Sequence, residues 1–336
     1  MNRVVLMIAL VVSALWQTPA RASDSFVVGI GTSMNDSTGV GSALSWLGVK
    51  SVRMDVPWKL VEVSRGQYAM PASIENRVND ATSRGIEPLL ILAYGHPLYG
   101  NDKPTSPAAI EAFSRYAAYV AEHFRGRARL FDLWNEWDAQ TGHTAAGTPD
   151  AYIALAKQAY PAIKAANPDA VVLSGGLSGS GLAGGWLERF LQLGGLQFVD
   201  AISVHPYNFF SKANTPESAV EQLDHINELT RAAAPARAVR IYVTEMGYPT
   251  FTGKGGVTDA AAADDLTRFL QLASKRDYIA GVWWYCLRDQ GTDRANKEHH
   301  FGVMDAAMQP KPAAYALRAF TRGSKTPAAP SRLLRE

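Results

Sequence analysis

Arg129-Leu-Phe-Asp-Leu-Trp-Asn-Glu136 reads as a buried strand that ends on two polar side chains. Its centre is apolar except for Asp132, as suits a strand covered on both faces. Similar short runs rich in Val, Ile and Leu recur at 26–30, 51–55, 88–93, 170–174, 201–205, 241–244 and 281–287, which with 130–135 makes eight candidates. Segments of helical period separate them. The stretch 107–124 opens on Pro107 and carries Ile110, Phe113, Tyr116 and Val120 along one stripe. The stretch 149–166 opens on Pro149-Asp150 and stops before Asn167-Pro168, and 216–234 and 259–275 repeat the pattern. Strand and helix alternating eight times imply parallel strands joined by right-handed crossovers. An open doubly wound sheet would carry phosphate-binding glycines after its first strand. Gly29-Ile-Gly31 is followed by Thr32-Ser-Met34, so that fingerprint fails. The expectation is an α/β fold closed as a (β/α)8 TIM barrel in a single domain.

The flanks read differently. Arg3 followed by the apolar run 4–16 and by Ala20-Arg21-Ala22 has the form of a secretory leader, with Ser23 as first mature residue. The expected division is a signal peptide at 1–22, a catalytic domain at 23–322 and a flexible tail at 323–336. The mature protein is then exported, to the periplasm or beyond the cell, and no stretch is long enough to span a membrane. Hydrophobic content of 47% supplies ample core. A net charge of +2, with Lys and Arg scattered, argues against a nucleic-acid partner. Cys286 is the one cysteine, so no intrachain disulfide forms. Set within 281–287, its thiol reads as buried and inert.

In such a barrel the chemistry sits at the carboxyl ends of the strands. The polar residues there are Arg53, Asp55, His96, Asn135, Glu136, His205, Tyr207 and Glu245, with Trp283-Trp284 last. Alternation puts Arg53 and Asp55 on one face of the second strand, and His205 and Tyr207 on one face of the sixth. Glu136 and Glu245 reach one rim from two parallel strands. That is the arrangement that glycosidic bond cleavage needs, with one acid to protonate the departing oxygen and one carboxylate to attack or to activate water. Phe131, Leu133 and Trp134 give Glu136 partly dehydrated surroundings, as an acid catalyst requires. Arg53 or Tyr207 could keep Glu245 ionised.

Taken together, Trp134-Asn135-Glu136 and Thr244-Glu245 resemble the glutamate pair of clan A glycoside hydrolases, which are retaining (β/α)8 enzymes. Arg53, His96, His205, Tyr207, a tryptophan on the last strand, and the closing 301–305 and 311–313 are similar to that clan's supporting residues. His205-Pro-Tyr207 and Trp283-Trp-Tyr285 look most like family 39, the xylosidase and exopolysaccharide-hydrolase group, with families 5 and 10 also similar. The resemblance implies Glu136 as acid/base and Glu245 as nucleophile. It implies that Asn135 binds the sugar 2-hydroxyl, Tyr207 and Arg53 orient Glu245, His205 supports Glu136, His96 contributes to substrate binding and Trp284 floors the cleaved subsite. No cofactor and no metal are implied. The substrate class is a polysaccharide or large oligosaccharide, of bacterial exopolysaccharide or β-xylan type.

Other readings stand beside this one. A strand-end glutamate is often only a cap or an ion-pair partner, Arg53 can simply neutralise Asp55, and His96 before Pro97 can be a satisfied core histidine. Rim aromatics at 94, 99, 137, 209, 210, 248 and 251 suit a sugar cleft or plug a core equally well. The charged stretch 289–300 is a solvated loop or a reader of a charged or acetylated sugar; adjacent His299 and His300 lack metal-ligand spacing. A carbohydrate-binding barrel without catalysis, or a transglycosylase with the same glutamates, fits the pattern too.

Overall fold

The computed structural model describes residues 26–36, 40–141 and 144–323. The leader expected at 1–22 and all but the first residue of the tail expected at 323–336 lie outside them. Eight parallel strands follow one another: β1 Val27–Gly31, β2 Ser51–Pro57, β3 Glu87–Ala93, β4 Leu130–Leu133, β5 Val171–Leu173, β6 Ile202–His205, β7 Ile241–Met246 and β8 Ile279–Trp284. Each pairs with its sequence neighbours, and β1 pairs with β8. Two contacts close the ring between β5 and β6. Leu173 bridges Ala201, and a short continuation, Leu177–Ser178, pairs with Val204 and His205. The sheet is therefore the (β/α)8 barrel that the alternation of runs implies.

Eight helices cover it: α1 Val40–Leu47, α2 Ala72–Ser83, α3 Pro107–His123, α4 Pro149–Ala166, α5 Trp186–Gln192, α6 Pro216–Ala233, α7 Asp259–Ala273 and α8 Pro312–Thr321. Their starts are written in the sequence. Ser106, Thr148, Thr215 and Thr258 each cap a helix by accepting a backbone N–H three residues on, a contact worth about 1 kcal/mol apiece. Proline follows three of those caps at the first helical position, where no N–H is missed. Phe113, Tyr116, Tyr152 and Phe190, all fully buried, lie on the helix faces toward the barrel.

Three departures from the sequence reading matter for the site. β4 stops at Leu133, short of Asn135, because Trp134 and Glu136 take positive φ (88° and 49°) and leave the extended region. β5 breaks at Gly175-Gly176, both at positive φ. A side chain at Gly176 would meet His205 Nε2 at 2.4 Å, so only glycine fits there. β8 ends at Trp284 rather than running to Leu287. Gly29, by contrast, is a packing glycine: a Cβ would meet the Trp283 ring at 2.3 Å.

Candidate active site

A cavity of about 490 Å3 opens at the carboxyl ends of the strands, with Arg53, Asp55, Tyr94, Asn135, Glu136, Tyr207, Glu245 and Tyr285 in its wall. Strand alternation sends Arg53 and Asp55 inward together from β2. Glu136 arrives differently, from the turn after β4. Its backbone N–H donates to Gly175 O at 2.7 Å, so the β5 break holds it. That break is fixed in turn by Asp132, whose Oδ1 accepts from Gly175 N at 2.6 Å and from Ser203 Oγ at 2.7 Å. On β7 a register irregularity between Val243 and Met246 turns Thr244 and Glu245 both toward the interior, as bulges near sites do.

Glu245 is the best-held group in the cavity. Arg53 Nη1 lies 2.8 Å from its Oε1, and Tyr207 donates its hydroxyl to Oε2 at 2.9 Å. Burial pushes the Glu245 carboxyl up, but Arg53, His205 and the Tyr207 hydroxyl outweigh it and hold the group below its ordinary value. The anion is the resting form. Burial disfavours charge on Arg53 as well, yet the Glu245 and Asp55 carboxylates raise its pKa above the ordinary value. Burial raises the Asp55 carboxyl, against the pull of Arg53. Tyr207 is raised well above a free phenol by burial and Glu245, so it remains a donor.

Arg53 also joins the two halves of the site, since its Nη2 donates to Asn135 Oδ1 at 2.6 Å. His205, with no exposed surface, places Nδ1 2.9 Å from Glu136 Oε1 and Nε2 3.0 Å from Thr244 Oγ1. Burial alone would lower its pKa; Glu245 and Glu136 raise it. A carboxylate oxygen of Glu136, one of Glu245 and a ring nitrogen of His205 lie within 4.8 Å of one another. That trio has the donor types for a cation. Both Glu245 oxygens are already committed to Arg53 and Tyr207, however, and a metal would have to compete with the guanidinium.

Six of the eight residues singled out from sequence meet here: Glu136, Glu245, Asn135, Arg53, His205 and Tyr207. His96 does not. Its Nδ1 accepts from Leu98 N at 3.0 Å within its own loop and its Nε2 lies 2.8 Å from Glu62 O in the segment after β2, so both ring nitrogens are taken up in holding those two segments together. Its ring packs 5.2 Å from Trp58, away from the cavity wall. Trp284 does not either. It is 2% exposed and faces Phe269 of α7 and Tyr248 in the helix layer. Trp283 points inward but lies deep, donating to Ser51 Oγ at 2.9 Å. The ring that reaches the cavity from this strand is Tyr285, two residues beyond Trp283 on the same face. The alternation was the signal for it. Cys286 is 4% exposed, and burial pushes its thiol up, so it stays protonated.

Comparison with known proteins agrees with this geometry. The family described as Cellulase (glycosyl hydrolase family 5) matches residues 25–289. A family 39 glycoside hydrolase from the gut symbiont Bacteroides cellulosilyticus WH2 is similar in structure, with a TM-score of 0.77 and 26% identity over 89% of this chain. The match spans 64% of that protein, under two thirds of its length. GH5_18 from Streptomyces cattleya, solved with GlcNAc, gives 0.72 at 19% identity over 93% of this chain and 83% of its own. Xylanase 10B from Thermotoga maritima gives 0.66 at 14% over 90% and 96%. At those two identities the likeness is one of fold. No curated protein sequence matches the chain.

Proposed function

The chain belongs to the cellulase family, glycosyl hydrolase family 5, within a clan whose folds it shares with families 39 and 10, and we propose that it is a secreted, retaining β-glycosidase acting on a polysaccharide or large oligosaccharide. In this reading 23–322 form one catalytic domain. The observation that carries the mechanism is the close approach of the two glutamates, within 4.8 Å oxygen to oxygen. Retaining enzymes keep their carboxyl groups about 5–5.5 Å apart, whereas inverting enzymes open the gap to about 6.5–9.5 Å to seat a water.

Glu245, held as the anion by Arg53 and Tyr207, attacks the anomeric carbon while Glu136 gives its proton to the departing oxygen. The Glu245 ester is then hydrolysed by a water that Glu136 deprotonates, so the configuration is kept. His205, bonded to Glu136 Oε1, fixes the angle at which that carboxyl meets the oxygen. Asn135, its amide oxygen taken by Arg53, offers its NH2 to the sugar 2-hydroxyl. Tyr285, rather than Trp284, is the ring beside the cleaved sugar. Export is supported by the leader-like 1–22 alone; among the described residues no helix is long and apolar enough to cross a membrane.

The test is a product screen. Wild type and Glu245→Gln are incubated with xylan, β-glucans, mannan and bacterial exopolysaccharides, with reducing ends and anomers followed. Release by wild type alone, with the β anomer first, is the expected result. The α anomer first means inversion and removes Glu245 as nucleophile. Transfer to added sugar acceptors in place of hydrolysis marks a transglycosylase.

A further inference from the structure

Among the described residues one lysine is buried. Lys103, in the loop after β3, is 6% exposed, and a lysine is rarely buried unless an anion accompanies it. Here all three ammonium protons go to uncharged acceptors: Ala139 O at 3.1 Å, Thr144 Oγ1 at 2.7 Å, and Ala145 O. The rings of Trp134 and Trp137 each stand 5.9 Å away, close enough to favour the cation. The adjacent carboxylate is turned elsewhere. Asp102 Oδ1 accepts from the backbone N–H groups of Lys103 at 2.7 Å and of Ala145 at 3.1 Å.

Every one of those acceptors lies on the segment that follows Glu136, and that segment grips the glutamate's own backbone. Ala139 N donates to Glu136 O at 3.0 Å, and Thr141 Oγ1 donates to Asn135 O at 2.9 Å. Thr144 closes the turn, its N–H 2.9 Å and its hydroxyl 2.7 Å from Thr141 O. The need for a grip is visible in the backbone. Trp134 and Glu136 sit at φ 88° and 49°, a region that side chains disfavour and that persists only where the surroundings enforce it. We propose that Lys103 is a positioning residue for Glu136, acting through the 139–145 turn to fix the angle at which that carboxyl meets the leaving oxygen. Lys103 itself lies outside the cavity wall. The proposal rests on the glycosidase reading.

Titration of the amine supplies a signature. Burial lowers the pKa of Lys103 from 10.5 to about 8, against Asp102 on its own loop and Asp138 and Glu136 on the turn, all of which favour the cation. As pH rises through about 8 the amine gives up one of its three donors, and one acceptor of the turn loses its partner. The effect on stability has the opposite sign. Between about 8 and 10.5 the unfolded chain keeps a proton that the folded chain has released, so this group's contribution to stability rises with pH. Alkali thus frees the turn without weakening the fold through Lys103.

The experiment compares wild type with Lys103→Met, which keeps the stem and removes the donors, on two aryl β-glycosides of the sugar that the product screen selects. A dinitrophenyl group departs unaided, whereas a phenyl group needs the proton of Glu136. The expected result is a fall in kcat/KM of about 10- to 100-fold on the phenyl substrate and of under about threefold on the other. The steady rate after the dinitrophenol burst, in which Glu136 serves as base toward water, should decline above about pH 8 in wild type and stay level in Lys103→Met. From about pH 7 to about pH 10 the wild-type unfolding temperature should rise relative to that of the variant. Equal losses on both substrates, an alkaline decline that persists in Lys103→Met, or a wild-type unfolding temperature that falls relative to the variant's each overturn the proposal. Thr144→Val removes one acceptor and decides the matter if Lys103→Met does not fold. It should show the same bias toward the phenyl substrate at smaller size, and its absence overturns the proposal as well. If wild type cleaves no aryl glycoside and no polysaccharide, the glycosidase reading fails and the proposal falls with it.

Discussion

Replacing Tyr207 by Phe removes one oxygen and nothing else. The ring contacts to Phe209, Tyr285 and Phe301 stay, while Glu245 Oε2 loses the hydroxyl that donates to it at 2.9 Å. A hydrogen bond to a buried charge is worth about 2 kcal/mol. One pKa unit equals about 1.4 kcal/mol, so the Glu245 carboxyl should rise by roughly 1.5 units. The sign follows from the depressed value of Glu245. The wild-type carboxylate stabilises the fold above its unfolded pKa of about 4.3, and that contribution drains as pH falls through the lower folded value. In the variant the acid limb of activity starts at a higher pH, and the stability that the Glu245 carboxylate contributes above its unfolded pKa becomes smaller. The assay is kcat/KM against pH on an aryl β-glycoside, which reports the free enzyme. The acid limb should move up by one to two units, with a fall at neutral pH of about 10- to 100-fold from lost orientation. An acid limb that stays in place, with Tyr207→Phe folded, would refute Glu245 as the group that must be ionised.

Glu245→Gln should lower turnover by several orders of magnitude and, by leaving buried Arg53 without its carboxylate, should also lower the unfolding temperature while the fold is kept. Glu136→Gln should be nearly as poor on glycans but much less impaired in releasing an aryl leaving group that needs no proton, read as a burst of phenol. Gly176→Ala forces a methyl against His205 Nε2 and keeps φ at +57°; calorimetry should show a loss of about 1–2 kcal/mol or more, with activity falling in step. His205 has a raised pKa, so the stability tied to its charge is full below about 6.5 and is lost as pH rises through the folded value. Urea unfolding of wild type and His205→Gln at pH 6 and pH 9 should show the gap narrowing at the higher pH. Tyr285→Ala should weaken substrate binding while Trp284→Phe chiefly lowers stability; the reverse pattern would restore Trp284 to the cleft.

The frame of the barrel was legible because each unit carries its own punctuation. Ser106-Pro107, Thr148-Pro149 and Thr215-Pro216 start helices wherever they stand, and a run such as 88–93 has no alternative to burial. The glutamates were legible for the same reason, each closing an apolar run. What escaped was set by register and by turns. His96 lies after a strand end, where sequence gives a polar residue no direction, and the backbones of Leu98 in its own loop and of Glu62 after β2 claimed its two nitrogens. Trp284 was misplaced by a single residue. On a strand that is the difference between the helix layer and the cavity, and the inward set Trp283 and Tyr285 becomes clear only once Ser51 is seen to receive Trp283.

The β5 break is the deeper case. Ser174-Gly175-Gly176 is plain in the sequence as a weak point, yet its use is not local. Gly175 supports the backbone of Glu136, Gly176 makes room for His205, and Asp132 with Ser203 pins both glycines from the barrel floor. Those partners come from β4 and β6, brought together by closure of the sheet. An acid/base carboxyl on a turn, rather than on a strand, can be tilted by its neighbours, and here three neighbouring strands set the tilt. The same closure explains why Glu245 is the stiffer of the pair: it is gripped by Arg53 from β2 and by Tyr207 from the segment after β6, whereas Glu136 has one side-chain partner, His205, among the bonds described. That asymmetry fits the two roles proposed for the glutamates, since a nucleophile must hold one trajectory while an acid that later serves as a base must first follow the leaving oxygen and then the water.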